Sequence, residues 1–209
     1  MDMDVFAGFL AAYSILLVAV LSPGPAVAML LGLGLSRGRG TAVVASVGVA
    51  AGASTIALLT MMGVGLLLQK AAWAITLLRL VGSAYLLWLA WGAFRKAIAP
   101  PRVTAMDMPP LSPGRAFLTG YLLQITNPKA IVFWIAIASV GATTGAPLAV
   151  KATFLAGAFL ISLAGHGAYA LALSSTPVRR AYQNARRGIE ATLGLLFTFF
   201  AFKLATSRS

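Results

Sequence analysis

Two short stretches hold the residues with the most capacity for chemistry. Ser22-Pro23-Gly24-Pro25 interrupts one apolar run, and Gln124, Thr126, Asn127, Pro128 and Lys129 cluster in another. Proline removes a backbone donor and clashes with the preceding turn, so each stretch should end one helical segment and start a second. Ser22 is expected to cap the new segment at the first break, with Pro23 or Pro25 in its first turn. Asn127 followed by Pro128 has the same logic at the second. A helix that starts inside an apolar layer presents free N–H groups and a positive dipole end, which suit an anionic group of a substrate. Gln124, Thr126 and Lys129 add donors beside the break. For one break alone, a purely structural kink is the better reading. Two breaks at equivalent positions favour a binding site.

Lys129 is the most informative charge, because it directly follows Pro128 and opens the run Ala130 to Val140. It reads equally well as a cation for a substrate carboxylate or as a lysine that snorkels to the interface. His166 is the single histidine. Histidine titrates near physiological pH, so it is the candidate for a coupled proton. Ser162 lies one turn before it and Tyr169 three residues after, on one helical face. A neutral histidine bonded to a neighbouring helix is the slightly favoured alternative. Glu190 reads as a structural carboxylate at the start of the last helix, beside Arg186 and Arg187. Arg79, Lys203 and Arg208 read as snorkelling cations near helix ends.

These residues must be positioned by membrane-crossing elements. The chain has 209 residues, 60% of them hydrophobic and 10% charged, with a mean hydropathy of +0.91. That is too little charge to cover a soluble domain of this size. Spanning helices need about 20 mostly apolar residues. Six candidates are present: Val5–Leu35 (interrupted), Thr41–Leu68, Ala72–Phe94, Ala116–Val140 (interrupted), Pro147–Ser174 and Gly188–Ala205. The runs are too long and continuous for barrel strands. Ala26-Val27-Ala28 resembles a signal-peptide cleavage site, but Asp2 and Asp4 replace the expected positive region, so the first run reads as a retained helix. Gly48-x-x-x-Gly52 offers a small-residue surface for close helix approach, and Tyr85, Trp88 and Trp91 read as packing and interface anchors.

Sixteen Lys and Arg face four Asp and Glu, a net charge of +12. The cations sit in short clusters between apolar runs, which is the pattern of cytoplasmic loops and argues against nucleic acid. Arg37 and Arg39 follow the first span, Arg95, Lys96, Arg102 and Arg115 the third, and Arg179, Arg180, Arg186 and Arg187 the fifth. The opposite side holds Asp2, Asp4, Lys70, the 141–146 turn and Arg208. The positive-inside rule then puts both termini outside the cytoplasm. A proline-rich linker over 95–115 divides the chain into three-span halves at about 5–94 and 116–205. An odd number of spans forces the second half to enter from the opposite side, the condition for an inverted repeat. Gly82 and Gly194, each ahead of a Leu- and aromatic-rich run, match between the halves. The expected architecture is an all-α membrane protein, a single transmembrane domain over 1–209, with two inverted three-helix repeats.

Several classes find no support. Cysteine is absent, which removes disulfides and thiol chemistry. No P-loop, dinucleotide fingerprint or nucleophile elbow is present. One histidine and few carboxylates do not build a classical metal site, so neither cofactor nor metal is expected. A passive channel or metal-ion transporter would want intramembrane carboxylates. A membrane enzyme or enzyme partner would want a catalytic pair, and Asp107, Glu190 and His166 are scattered.

The breaks also carry a family resemblance. Ser22-Pro23-Gly24-Pro25, Arg37-Gly38-Arg39-Gly40, Gly48 and Gly52 resemble the opening signature of the lysine exporter / homoserine–threonine exporter (LysE/RhtB) family. Gly82-Ser83-Ala84-Tyr85-Leu86 is similar to its third-helix motif, Phe117, Gly120 and Thr126 to Ala130 to its fourth, and Arg186 to Gly194 to the entry of its last helix. The resemblance implies export of an amino acid or derivative across a bacterial inner membrane, driven by the proton gradient. It supports Pro23, Gly24, Pro25, Asn127, Pro128 and Lys129 as central elements. Many members carry an acid near the position of Ser162. This chain has none there, nor after Gly52, where Ala53 and Ser54 follow. A dibasic substrate would want a buried carboxylate, so neutral amino acids are expected, with His166 as the default proton carrier. Ser22, Gln124, Thr126 and Ser162 would hold the amine and side chain, while assembly as a homo-oligomer stays open.

Overall fold

The computed structural model describes residues 3–70, 72–100, 111–139, 143, 145–173 and 175–206. Eight helices and no strand occur among them: α1 (Met3–Leu21), α2 (Pro25–Arg37), α3 (Arg39–Lys70), α4 (Ala72–Ile98), α5 (Pro113–Ile125), α6 (Pro128–Ser139), α7 (Leu148–Ala172) and α8 (Thr176–Thr206). Asp2, Arg102, Asp107, Gly141 and Arg208 lie outside the described residues, as do the side chains of Asp4, Lys70 and Arg79. The same holds for residues 101–110 of the expected linker.

The two expected interruptions are real breaks. The chain bends by 45° between α1 and α2 and by 60° between α5 and α6. Helices α3, α7 and α8 are each long and apolar enough to cross a membrane, and the bent pairs raise the number to five. The remaining predicted span is α4, a helix of 27 residues.

Helix α3 is the hub of the molecule, packing against α2, α4, α5, α6 and α7. Small residues allow this: Ala42, Ala45, Ser46, Gly48, Ala50, Gly52 and Ala53 are all buried, so neighbours approach on several sides. The closest approach is to α5. A Cβ on Gly48 would collide with the carbonyl of Phe117, and one on Gly120 with the carbonyl of Ala45. The seam expected from Gly48 and Gly52 is therefore completed by a reciprocal glycine on α5. The contact of α7 with α1 is built in the same way. Gly157 meets the Tyr13 hydroxyl, and Gly165 meets Val20.

Two apolar clusters frame the centre. Phe9, Leu16, Val20, Ile56, Trp134 and Phe154 join α1, α3, α6 and α7. Leu86, Phe133, Leu193 and Phe197 join α4 and α8 to α6. Outside, Leu10, Leu59, Trp88, Trp91, Leu195 and Phe202 are each at least half exposed. Large apolar side chains in such number on the outer surface fit a lipid solvent.

The structure corrects three local expectations. Ser22 does not cap α2. The N-cap is Gly24, in extended geometry (φ −146°, ψ −165°), with Pro25 in the first turn and no side-chain cap. Ser22 instead prolongs α1, its N–H donating to Val18 O at 3.0 Å. Pro23 thus lies outside both helices, and Pro25 alone uses the N1 preference for proline.

The last helix starts at Thr176, not near Gly188. Its first turns are polar and carry Arg179, Arg180, Arg186 and Arg187, but nothing in them breaks a helix. Glu190 accordingly sits well inside α8 and is only 1% exposed. It pairs with Arg186, Nε to Oε1 at 3.7 Å. It is a buried carboxylate, where none was expected.

Candidate functional site

The sequence order places the two breaks about a hundred residues apart, yet they meet. Ser22 and Gly24 from the first, Gln124, Asn127 and Lys129 from the second, and Ser162 and His166 from α7 line one cavity. Its walls are apolar: Leu16, Val20, Val27, Ala53, Phe133 and Trp134. The space left open is about 30 Å³, room for one or two water molecules and far less than an amino acid occupies.

Each break offers helix-end groups to this cavity. The first-turn N–H groups of a helix have no partner within it. At α2 no side chain supplies one, and Pro25 has no N–H of its own, so the unsatisfied donors belong to Ala26 and Val27. Both residues are buried and line the cavity. They form a donor pair at a positive dipole end, suited to a carboxylate. At α6 the expected cap is present: Asn127 Oδ1 accepts from Lys129 N at 3.1 Å, and Ile131 N donates to Asn127 O at 3.1 Å.

Opposite these donors lies the carboxyl end of α1. Its last carbonyls lose their ladder partners at the break and are taken by side chains from the second half. Lys129 Nζ donates to Ala19 O at 3.1 Å and to Ser22 O at 2.5 Å. The Tyr169 hydroxyl donates to Leu21 O at 2.6 Å. Lys129 therefore does not snorkel. It is 9% exposed, and its Nζ lies 6.0 Å from the Phe133 ring centroid. A cation on helix-terminal carbonyls is favourable in a low-dielectric setting.

His166 Nδ1 lies 2.9 Å from the carbonyl of Ser162, one turn back on α7, and 3.3 Å from the Ser162 hydroxyl. A carbonyl only accepts, so Nδ1 carries the proton. In the neutral ring Nε2 is then an acceptor. Gln124 is 6% exposed, and its Oε1 has no hydrogen-bond donor among the described residues. A buried acceptor of this kind can take a hydrogen bond from a bound molecule.

The remaining sequence candidates stand outside the cavity lining. Pro25 and Pro128 are exposed, and Pro23 is buried beside the break; all three shape it rather than line it. Thr126 is exposed at the end of α5, its hydroxyl bonded back to Leu122 O at 2.7 Å. Sequence reasoning expected free N–H groups at each new segment but, with the cap placed at Ser22, did not assign them to Ala26 and Val27; it missed the apolar walls and the α1 carbonyls. Backbone groups carry no side-chain signal, but Gly24-Pro25 was a readable helix start. Phe133 follows Lys129 by four residues, the helical neighbour spacing.

The family model described as LysE type translocator matches residues 17–208. The chain is 29% identical to the threonine efflux protein of Escherichia coli (strain K12) over 202 residues, 96% of this chain and 98% of that one. It is 30% identical to the threonine efflux protein of Salmonella typhi, covering 92% and 94% of the two chains. It is also 30% identical to the leucine efflux protein of Klebsiella pneumoniae subsp. pneumoniae, covering 91% of each. No solved structure matches.

Proposed function

The chain belongs to the LysE type translocator family, and from that premise we propose that it exports a neutral amino acid from the cytoplasm, coupled to the proton gradient. The observation that carries this reading is the meeting of the two helix breaks on one cavity with zwitterionic character. Donors of Ala26 and Val27 sit at one helix end, and carbonyls of Ala19 and Ser22 sit at another. The substrate carboxylate goes to the N-terminus of α2, with Asn127 and Lys129 beside it. Its ammonium goes to the acceptors, Gln124 Oε1 among them. Among the described residues no Asp or Glu lines the cavity, so none of them balances a second positive charge on a substrate side chain. The named threonine and leucine exporters among the relatives support the same class of cargo.

In this reading the chain is one transmembrane unit of six spans in two inverted halves, α1–α4 and α5–α8, in the bacterial inner membrane. Paired glycine contacts, α3 on α5 and α7 on α1, support the inverted repeat. The clustering of Arg37, Arg39, Arg95, Lys96, Arg115, Arg179 and Arg180 at alternate connections supports non-cytoplasmic termini. His166 is the proposed proton carrier, since it lines the cavity and its Nε2 is an acceptor. Self-association into a homo-oligomer is compatible with the exposed apolar surface of α4 and α8.

The test is efflux from proteoliposomes loaded with threonine, leucine or lysine, with and without an imposed proton gradient. Threonine or leucine should leave faster from wild-type vesicles than from empty ones, lysine should not, and the gradient should accelerate the process. Lys129→Ala should reduce the rate at least about tenfold, the consequence of losing one buried charge contact of about 1.4 kcal/mol or more. Lysine leaving as fast as threonine would sink the neutral-substrate reading.

A further inference from the structure

Lys129 occupies the position that the proposed reading assigns to part of the substrate. Its Nζ donates to Ala19 O and Ser22 O, the carbonyls that α1 exposes because its ladder stops at the break. The chemistry of that contact is a primary ammonium on the negative end of a helix. An amino acid's own ammonium is the same group, with the same donors and charge. The cavity is about 30 Å³, and Lys129 is part of its lining. A Cβ on Gly24 would lie 3.2 Å from both Lys129 Cδ and Nζ, so the break segment is moulded on that chain.

We propose that the carboxyl end of α1 is an ammonium subsite and that Lys129 is its tethered occupant. In the contracted site Lys129 holds the subsite. An incoming amino acid enters by exchanging its α-ammonium for that of Lys129, and the released lysine turns its charge to the substrate carboxylate at the start of α2. An independent observation supports a ligand donor here. Gln124 lines the same cavity, and its buried Oε1 has no donor among the described residues, while the Lys129 ammonium donates to backbone carbonyls. That acceptor suits a second ammonium, or the hydroxyl of a substrate side chain. The proposal rests on the amino-acid reading of the site. It adds that the amine is recognised by backbone carbonyls rather than by an acidic side chain, and that the protein supplies its own competing amine to the subsite.

The test is chemical rescue on the purified full-length protein. Lys129→Ala leaves the subsite without its cation. Ethylammonium chloride should raise the thermal unfolding midpoint of Lys129→Ala by several degrees. Sodium chloride and ethanol at equal concentration should not, and wild type should not respond. A second variant guards against a misfolded alanine form. The chain has no cysteine, so Lys129→Cys can be modified at one position alone. A 2-aminoethyl reagent rebuilds a lysine-like ammonium and should restore efflux, whereas the uncharged ethyl reagent should leave it low. Equal effects of ethylammonium and sodium on Lys129→Ala, together with equal efflux after either cysteine reagent, would overturn the ammonium subsite. If wild type binds and exports no amino acid while ethylammonium still stabilises Lys129→Ala, the subsite stands and the amino-acid reading falls.

Discussion

Asn127 performs two tasks within one turn of α6. Its side-chain oxygen caps the helix by accepting from Lys129 N, and the same side chain lines the cavity. Asn127→Ala removes the cap and should cost about 1 kcal/mol, read as a lowered unfolding midpoint. Efflux should fall further than stability, because the lost cap frees the residue that carries the Lys129 charge. Asn127→Asp keeps an acceptor and should retain wild-type stability. It also places a carboxylate where the substrate carboxylate is proposed to bind, so its efflux should be low despite normal folding. Both outcomes are checked by thermal unfolding and efflux on the same preparations. At this scale the side-chain half of the site was legible, because proline, asparagine and lysine announce a helix start in sequence. The other half is backbone: free donors were expected at each new segment, but the carbonyls of Ala19 and Ser22, and the residues that carry those donors, depend on where the ladder ends.

The seam between α3 and α5 matters most among the elements. Gly48 faces the Phe117 carbonyl and Gly120 faces the Ala45 carbonyl, with no room for a side chain at either contact. Gly48→Val should push the helices apart, at a cost in the upper part of the usual overpacking range of about 1–3 kcal/mol. The expected result is a sharp loss of folded protein in a detergent stability assay. Gly63, where an added Cβ meets nothing within 4 Å, should accept alanine with no such loss and serves as the control. Sequence spacing identified Gly48 and Gly52 but not their partner, since a small-residue stripe does not specify its target. The start of α8 was missed for a related reason. A search for apolar runs stops at the polar turns around Arg179 and Arg187, yet Ser175-Thr176-Pro177 is a helix-start signal and the backbone follows it. That error moved Glu190 to a helix end, whereas it is buried inside α8.

Seen as a whole, the molecule is proposed to sort its charge by side. Arg37, Arg39, Arg115 and Arg180 are exposed, and Arg39 opens the 25-residue candidate span of α3, which runs to Gly63. Single cysteines in this cysteine-free background report the arrangement. A cysteine at Arg37 or Arg180 should react with a membrane-impermeant thiol reagent only in inverted vesicles, and one at Gly145 only in intact cells. Reaction of Arg37 and Gly145 cysteines from the same face would overturn the alternating topology. The order of spans read from the charge clusters is what these cysteines test. The positions of the apolar helices and of the two breaks were readable from sequence. The convergence of the breaks was not, because it depends on how the two halves pack against α3.

The carboxyl end of α1 has a mechanical consequence. Residues 22–24 form the joint of the first bent pair, and the carbonyls at that joint are held by Lys129 and Tyr169 across the molecule. Lys129 and Tyr169 thus tie the joint to α6 and α7. In the proposed exchange an untethered ammonium replaces that of Lys129 and one of these ties is lost, so loading cargo and loosening the hinge would be one molecular event, with no relay from a distant pocket. The force available for the swing is the difference in affinity between the pinned and released geometries, where about 1.4 kcal/mol shifts the balance tenfold.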